Sequence, residues 1–153
     1  MAMSSGVYGK TLLDALANAT ALDLSGTPDT IDWQFVTDAE VPNYDDATDP
    51  VEADITTEAS AVSTAGTYTL GGEPLVSPSL SLVTQYLKFD DSSDVALTGT
   101  TISAEGVIGF DDTIASPVDP LLWGTDFTST YTSTAGAFNI TWSADGIWRI
   151  ALY

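Results

Sequence analysis

Three groups of acids are the first side chains whose spacing could do chemistry: Asp45, Asp46 and Asp49; Asp90, Asp91 and Asp94; and Asp111 with Asp112. Calcium takes six to eight oxygen ligands, and Asp-rich loops supply them, so a calcium-dependent binding module is one reading. None of the groups follows the calcium-loop pattern of alternating acids, then Gly, then a distal Glu. Asp in a turn also bonds to its own backbone, and that chemistry accounts for each group without an ion. Glu105 and Asp111 lie near one strand and could serve as a carboxyl pair for glycoside hydrolysis. Carboxyl pairs are unavoidable in a chain with 22 acids, however, and no cluster of Trp, Arg and Asn marks a sugar site around this one. Ser and Thr are plentiful, but the sequence holds no His and no Cys. That removes the Ser/His/Asp triad, imidazole metal ligands, thiolate nucleophiles and disulfides. The expectation is a protein that is not an enzyme, with no catalytic residue, no metal site and no cofactor.

Four tryptophans, Trp33, Trp123, Trp142 and Trp148, could instead form an exposed carbohydrate platform. Large aromatics on alternating strands are more often core, and Trp142 and Trp148 are read that way. Trp123, beside Gly124 in an apolar run after Pro120, is the better candidate for an interface. Arg149 lies between Trp148 and Ile150, so it points to the opposite face and is expected to pair with an acid.

The elements that must position these residues are mostly strands. A length of 153 residues suits one domain with one sizeable core, and a 44% apolar composition is enough to fill it. From Tyr8 to Asn18, Leu12, Leu13, Leu16 and Ala17 recur at helical spacing, which predicts a short amphipathic helix behind a flexible Ser4-Ser5-Gly6 lead. A helix this short needs docking, on the body or on a neighbouring subunit. Residues 1–20 are thus an arm with a docking helix, and residues 21–153 a single β domain. Ala21 to Ser25 reads as a short strand, then a turn through Gly26 to Asp29 leads to a strand over Thr30 to Val36. Loops and one or two edge strands fill the middle third. Leu80 to Phe89 has an alternation that shifts frame, as a bulged strand would. Strands follow at Val95 to Leu97, Thr101 to Phe110, Leu121 to Phe127, Ala137 to Ser143 and Ile147 to Tyr153. Asp145-Gly146 supplies a tight turn between the last two, predicting a closing hairpin with Phe138, Ile140 and Trp142 facing Trp148, Ile150 and Leu152. The fold class expected is mainly β: a β-sandwich or partly open barrel with Greek-key-like connections and a short N-terminal helix.

A formal charge of −19, with only Lys10, Lys88 and Arg149 as cations, repels phosphate and cannot neutralise several phosphates at once. Neither nucleic acid nor an anionic membrane surface is an expected partner. The N-terminus lacks a signal-peptide pattern, and no stretch approaches the ~20 apolar residues of a membrane span. Export, if any, is expected as part of an assembly.

Four runs carry a resemblance. AGAFNITWSADGIWRI, Ala135 to Ile150, resembles the closing hairpin of a family of small virion proteins encoded near the head and tail genes of phages that infect actinobacteria. GVIGFDDTIA, Gly106 to Ala115, looks like that family's preceding strand and acidic turn. VTDAEVPNYD, Val36 to Asp45, is similar to its early strand and loop, and YGKTLLDALANATALDLSGTPDTI to its N-terminal helix and first strand. Asp49 to Pro78 departs from the pattern, lacking the family's Gly-rich segment. The resemblance implies a capsid decoration or minor capsid protein on the outer surface of the virion shell. Its partners would be the major capsid protein and itself, as a homo-oligomer and by family analogy a trimer. Leu12, Leu13, Leu16 and Trp123 are the docking candidates. A minor tail or host-adhesion component is the alternative, with Tyr44, Tyr131 or Trp123 meeting a glycan.

Overall fold

The computed structural model describes residues 3–25, 27–45, 47–48, 50–58, 62–63 and 68–152. Asp46 and Asp49 of the first acidic group, Gly26 of the expected turn and Tyr153 at the end of the last expected strand lie outside these. The chain is mainly β, in two antiparallel sheets packed as a sandwich, with one short helix; neither described sheet closes into a barrel.

The larger sheet has six strands. At its centre is a ribbon of two long strands, β7 (Val95–Asp111) and β8 (Leu121–Ile140). Beside β8 lies β1 (Gly6–Val7), and beside β7 lie β2 (Ile31–Val36) and β3 (Val62–Ser63), with β4 (Glu73–Pro74) outside β2. The smaller sheet contains β5 (Pro78–Val83), β6 (Tyr86–Asp91) and β9 (Trp148–Ala151), in that order. Helix α1 spans Gly9–Leu16, and a single 3-10 turn covers Glu52–Asp54.

Several expectations are corrected by this arrangement. Ala21 to Ser25 is a loop, though Leu24 is buried in the core. The frame shift near Thr84 is not a bulge but the two-residue turn of the β5–β6 hairpin, where Val83 pairs with Tyr86 and Thr84 has φ 54°. The Ser/Thr-rich run between Phe127 and Ala137 continues β8 without a break. Most important, β9 does not pair with the end of β8. The turn at Asp145-Gly146 forms, with the Gly146 N–H bonded to the Ser143 carbonyl at 2.8 Å, but it carries the chain across to β6. Gly146 has φ 92°, and a Cβ there would sit 2.6 Å from the Phe89 carbonyl. Only glycine lets the crossing hug β6 this closely.

Apolar alternation decides what each face of the large sheet buries. Ile31, Trp33 and Phe35 face the small sheet, where Phe89 of β6 meets Trp123 of β8 at 5.4 Å and stacks on Trp148 at 5.5 Å. On the other face Val36, Ile108 and Phe110 are covered by Met3, Tyr8, Tyr44 and Ile55 from the N-terminal arm and the loop after β2. Each fully buried aromatic of this kind contributes about 2–3 kcal/mol.

Glycines on the central strands make room for these rings. Gly109 sits between Trp33 on β2 and Trp123 on β8 in register, and the Trp123 indole lies where a Gly109 Cβ would be, 2.0 Å from that position. On the opposite face Tyr44 lies over Gly6, and its hydroxyl, donating to the Ser4 carbonyl, reaches Gly124.

Candidate functional site

Trp123, expected at an interface, is 1% exposed and belongs to the core. Its burial follows from the Gly109 slot, a cross-strand feature that neighbours in sequence do not reveal. Tyr44 is held against the sheet and against Tyr8, ring centres 4.8 Å apart. Of the three aromatics considered for a glycan, Tyr131 alone is presented to solvent, at 54% exposure.

The helix is fixed by its N-terminal half. The Tyr8 N–H bonds to the Leu122 carbonyl at 3.0 Å, and the buried Thr11 hydroxyl donates to the Leu121 carbonyl at 2.7 Å. Leu12 enters a crevice formed with Leu22, Leu24, Leu122 and Trp148. Leu13 and Leu16 turn outward, 60% and 78% exposed. Of the four docking candidates, two are therefore available at the surface, one is half-buried and one is sealed inside.

The acids sort into structural roles. Buried Asp91 accepts the N–H groups of Val76, Ser77 and Ser93, tying the β4–β5 connection to the β6–β7 turn. Asp90 pairs with Lys88 at 2.7 Å, Asp94 accepts the Trp142 N–H, and Asp145 pairs with Arg149 at 2.6 Å. The Arg149 guanidinium also lies 4.8 Å from the centre of the Tyr86 ring. Among the described residues no three carboxylates form a group that could hold a metal ion. Glu105 and Asp111 are six residues apart on β7, about 20 Å, far beyond the separation of a glycosidase pair.

Two carboxyl groups are unusual. Asp111 is fully buried at the end of β7, and one of its oxygens accepts the Thr113 and Ile114 N–H groups at 2.8 and 3.2 Å. Burial pushes its pKa up to about 7, and the Asp29 carboxyl beside it adds to the rise. Asp32 is pushed up to about 6, chiefly by burial and then by Asp112, Glu73 and Asp119. Asp111 is sealed from solvent, so its titration bears on the stability of the fold.

A groove of about 560 Å³ lies on the outer half of β8. The ribbon is irregular there. Ala104 pairs with Tyr131 and Gly106 with Asp126, leaving residues 127–130 opposite Glu105 alone. This wide bulge, with Thr128 at φ 65°, and a second kink at Ala135, φ 47°, bend the strand. Phe127 and Tyr131 from one side of the bend and Phe138 from the other thereby line a single hollow, closed by Trp142 in the crossing to β9. The rings are ordered by contact: Tyr131 meets Phe127 edge-on at 6.1 Å, and Phe35 of the core meets both Phe127 and Phe138. None of the described lining residues is charged. The sequence pattern hid this site, because it is made by bulges within a Ser/Thr-rich stretch that shows no alternation.

The chain matches no protein-family model, no curated protein and no solved structure.

Proposed function

We propose that this chain is a structural component of a tailed-phage particle: a capsid decoration protein that binds the outer surface of the major capsid lattice and stabilises it. The observation that carries the reading is the helix, clamped to the sheet at Tyr8 and Thr11 yet presenting Leu13 and Leu16 outward. A rigidly held apolar pair on an acidic protein suits docking on another protein, where the leucines would be buried and the charge would stay in solvent. The four sequence runs that resemble actinobacteriophage virion proteins support the same reading, and the −19 charge suits a site away from packaged DNA. Bound at capsomer junctions as a homo-oligomer, in the trimeric form that threefold positions favour, the protein would stabilise the shell by mass action.

The direct test is symmetry-averaged electron microscopy of purified particles, together with copy number. Hundreds of copies on the shell are expected; a handful confined to the tail would overturn the decoration reading. The variant Leu13→Ser/Leu16→Ser should fold with stability within about 0.5 kcal/mol of the parent, since both side chains already face water. It should fail to bind isolated shells.

A second reading, a minor tail or host-adhesion component, is favoured by one observation: the uncharged aromatic groove beside Tyr131.

A further inference from the structure

We infer that the groove on the outer half of β8 is a binding site for an uncharged saccharide. It is independent of the shell reading, which rests on Leu13 and Leu16, and gives the ligand class that the host-adhesion reading would need.

The size fits: about 560 Å³ lies within the range of small-molecule sites. Charge then narrows the ligand. Acids are spread along the whole chain, yet among the described residues none lines the groove, and neither does a Lys or Arg. An anionic ligand would find no cation there and would have to approach against a field of −19; a cationic one would find no carboxylate within the groove and many outside it. A neutral ligand is indifferent to that field and is matched by the lining.

The remaining choice is between an apolar ligand and a hydroxylated one. The groove mixes aromatic faces with Thr125, Thr132, Asn139 and Thr141. Among the described residues the side chains of these four make no hydrogen bond, so their hydroxyls and amide remain available as both donors and acceptors. A purely apolar occupant would strip water from all four and return nothing. A sugar ring presents C–H groups on its faces and hydroxyls, themselves donors and acceptors, around its rim. It would lay a C–H face on Tyr131, which Phe127 props in place, and exchange its rim hydration for Asn139 and the threonines. Preordered aromatics lose little entropy on binding.

The test uses the intact protein and a panel of neutral di- to tetrasaccharides built from glucose, galactose, mannose and arabinose, with sialyllactose and a hydrophobic tripeptide as comparators. Binding is followed by NMR shifts of the groove residues and by indole fluorescence. At least one neutral saccharide should shift Phe127, Tyr131 and Asn139 resonances with a Kd near 1 mM or below, on the order of 4 kcal/mol or more. Tyr131→Ala should weaken it about tenfold, the scale of one lost stacking ring. Asn139→Ala should weaken it too, with unchanged melting temperature, while Leu16→Ser should have no effect. No response to any neutral saccharide at about 10 mM, equal or tighter binding of sialyllactose or the tripeptide, or binding unchanged in Tyr131→Ala would each overturn the inference. None of these outcomes bears on whether the protein decorates a shell.

Discussion

The two halves of the β7–β8 ribbon are built from the same pair of strands and have opposite fates. In the inner half, Gly106–Asp111 against Leu121–Asp126, the pairing is flanked by β1 and β2 and nearly every side chain is buried. Rings fill both faces there because glycines on the facing strands leave slots for them, Gly109 for Trp123 and Gly124 with Gly6 for Tyr44. In the outer half, Val95–Glu105 against Phe127–Ile140, the described edge partner is the two-residue β3, the register slips repeatedly, and hydroxyl side chains face solvent. Where small residues meet large ones in register, the ribbon is core. Where an inserted run bends it, the same ribbon becomes a concave surface.

The harshest way to break that contrast is Gly109→Val. The new side chain would occupy the space of the Trp123 indole, and displacing it should cost about 3 kcal/mol or more, read from the denaturant midpoint. Thr132→Val on the outer half should shift stability by no more than about 0.5 kcal/mol. If the two substitutions cost the same, the glycine slot does not distinguish the halves.

A second test exploits Asp111, at the end of the inner half. Its folded pKa, about 7, lies above the usual carboxyl value of 3.8, so the folded protein holds its proton more tightly than the unfolded chain does. The sign follows. Below pH 4 Asp111 is protonated in both states and its contribution to stability is greatest; that contribution is lost as pH rises from about 4 through 7, with Asp32 acting in the same direction up to about 6. Asp111→Asn keeps the acceptor for Thr113 and Ile114, removes the charge, and should raise the melting temperature at pH 8 while flattening the pH profile. A melting temperature at pH 8 below the parent's would refute the assignment.

The smallest effect sharpens the outer half. Thr128 holds φ 65° in the bulge, a conformation that glycine adopts without strain. Thr128→Gly should gain up to about 1 kcal/mol, measurable as a rise in melting temperature. A loss instead would mean that Thr128 itself, rather than its backbone shape, maintains the bend.

Composition and local pattern made much of this legible. The β class follows from Asp-rich turns and short alternating runs, α1 from leucine spacing, and β2 from its β-branched and aromatic residues. What stayed hidden was pairing between distant segments. Asp145-Gly146 announces a turn, but nothing local says whether the strand beyond it returns to β8 or crosses to β6. The deciding contact is the Phe89 carbonyl, more than fifty residues earlier. Trp123 looks locally like an interface residue for a similar reason, since the glycine that accommodates it lies on another strand. Leu13 and Leu16 sit on the apolar side of a helix whose inward contacts come instead from Tyr8, Thr11 and Leu12.

The crossing at Gly146 also sets an order of events during synthesis. The small sheet is made of a hairpin at residues 78–91 and a strand at 148–151, so its third member is translated some sixty residues after the other two. Until then Phe89 lacks the Trp148 ring that stacks on it, and the nascent chain carries an incomplete apolar sheet with an open edge. Many copies made at once would expose many such edges, and the dense negative charge along the same chains would keep them apart while the sandwich closes.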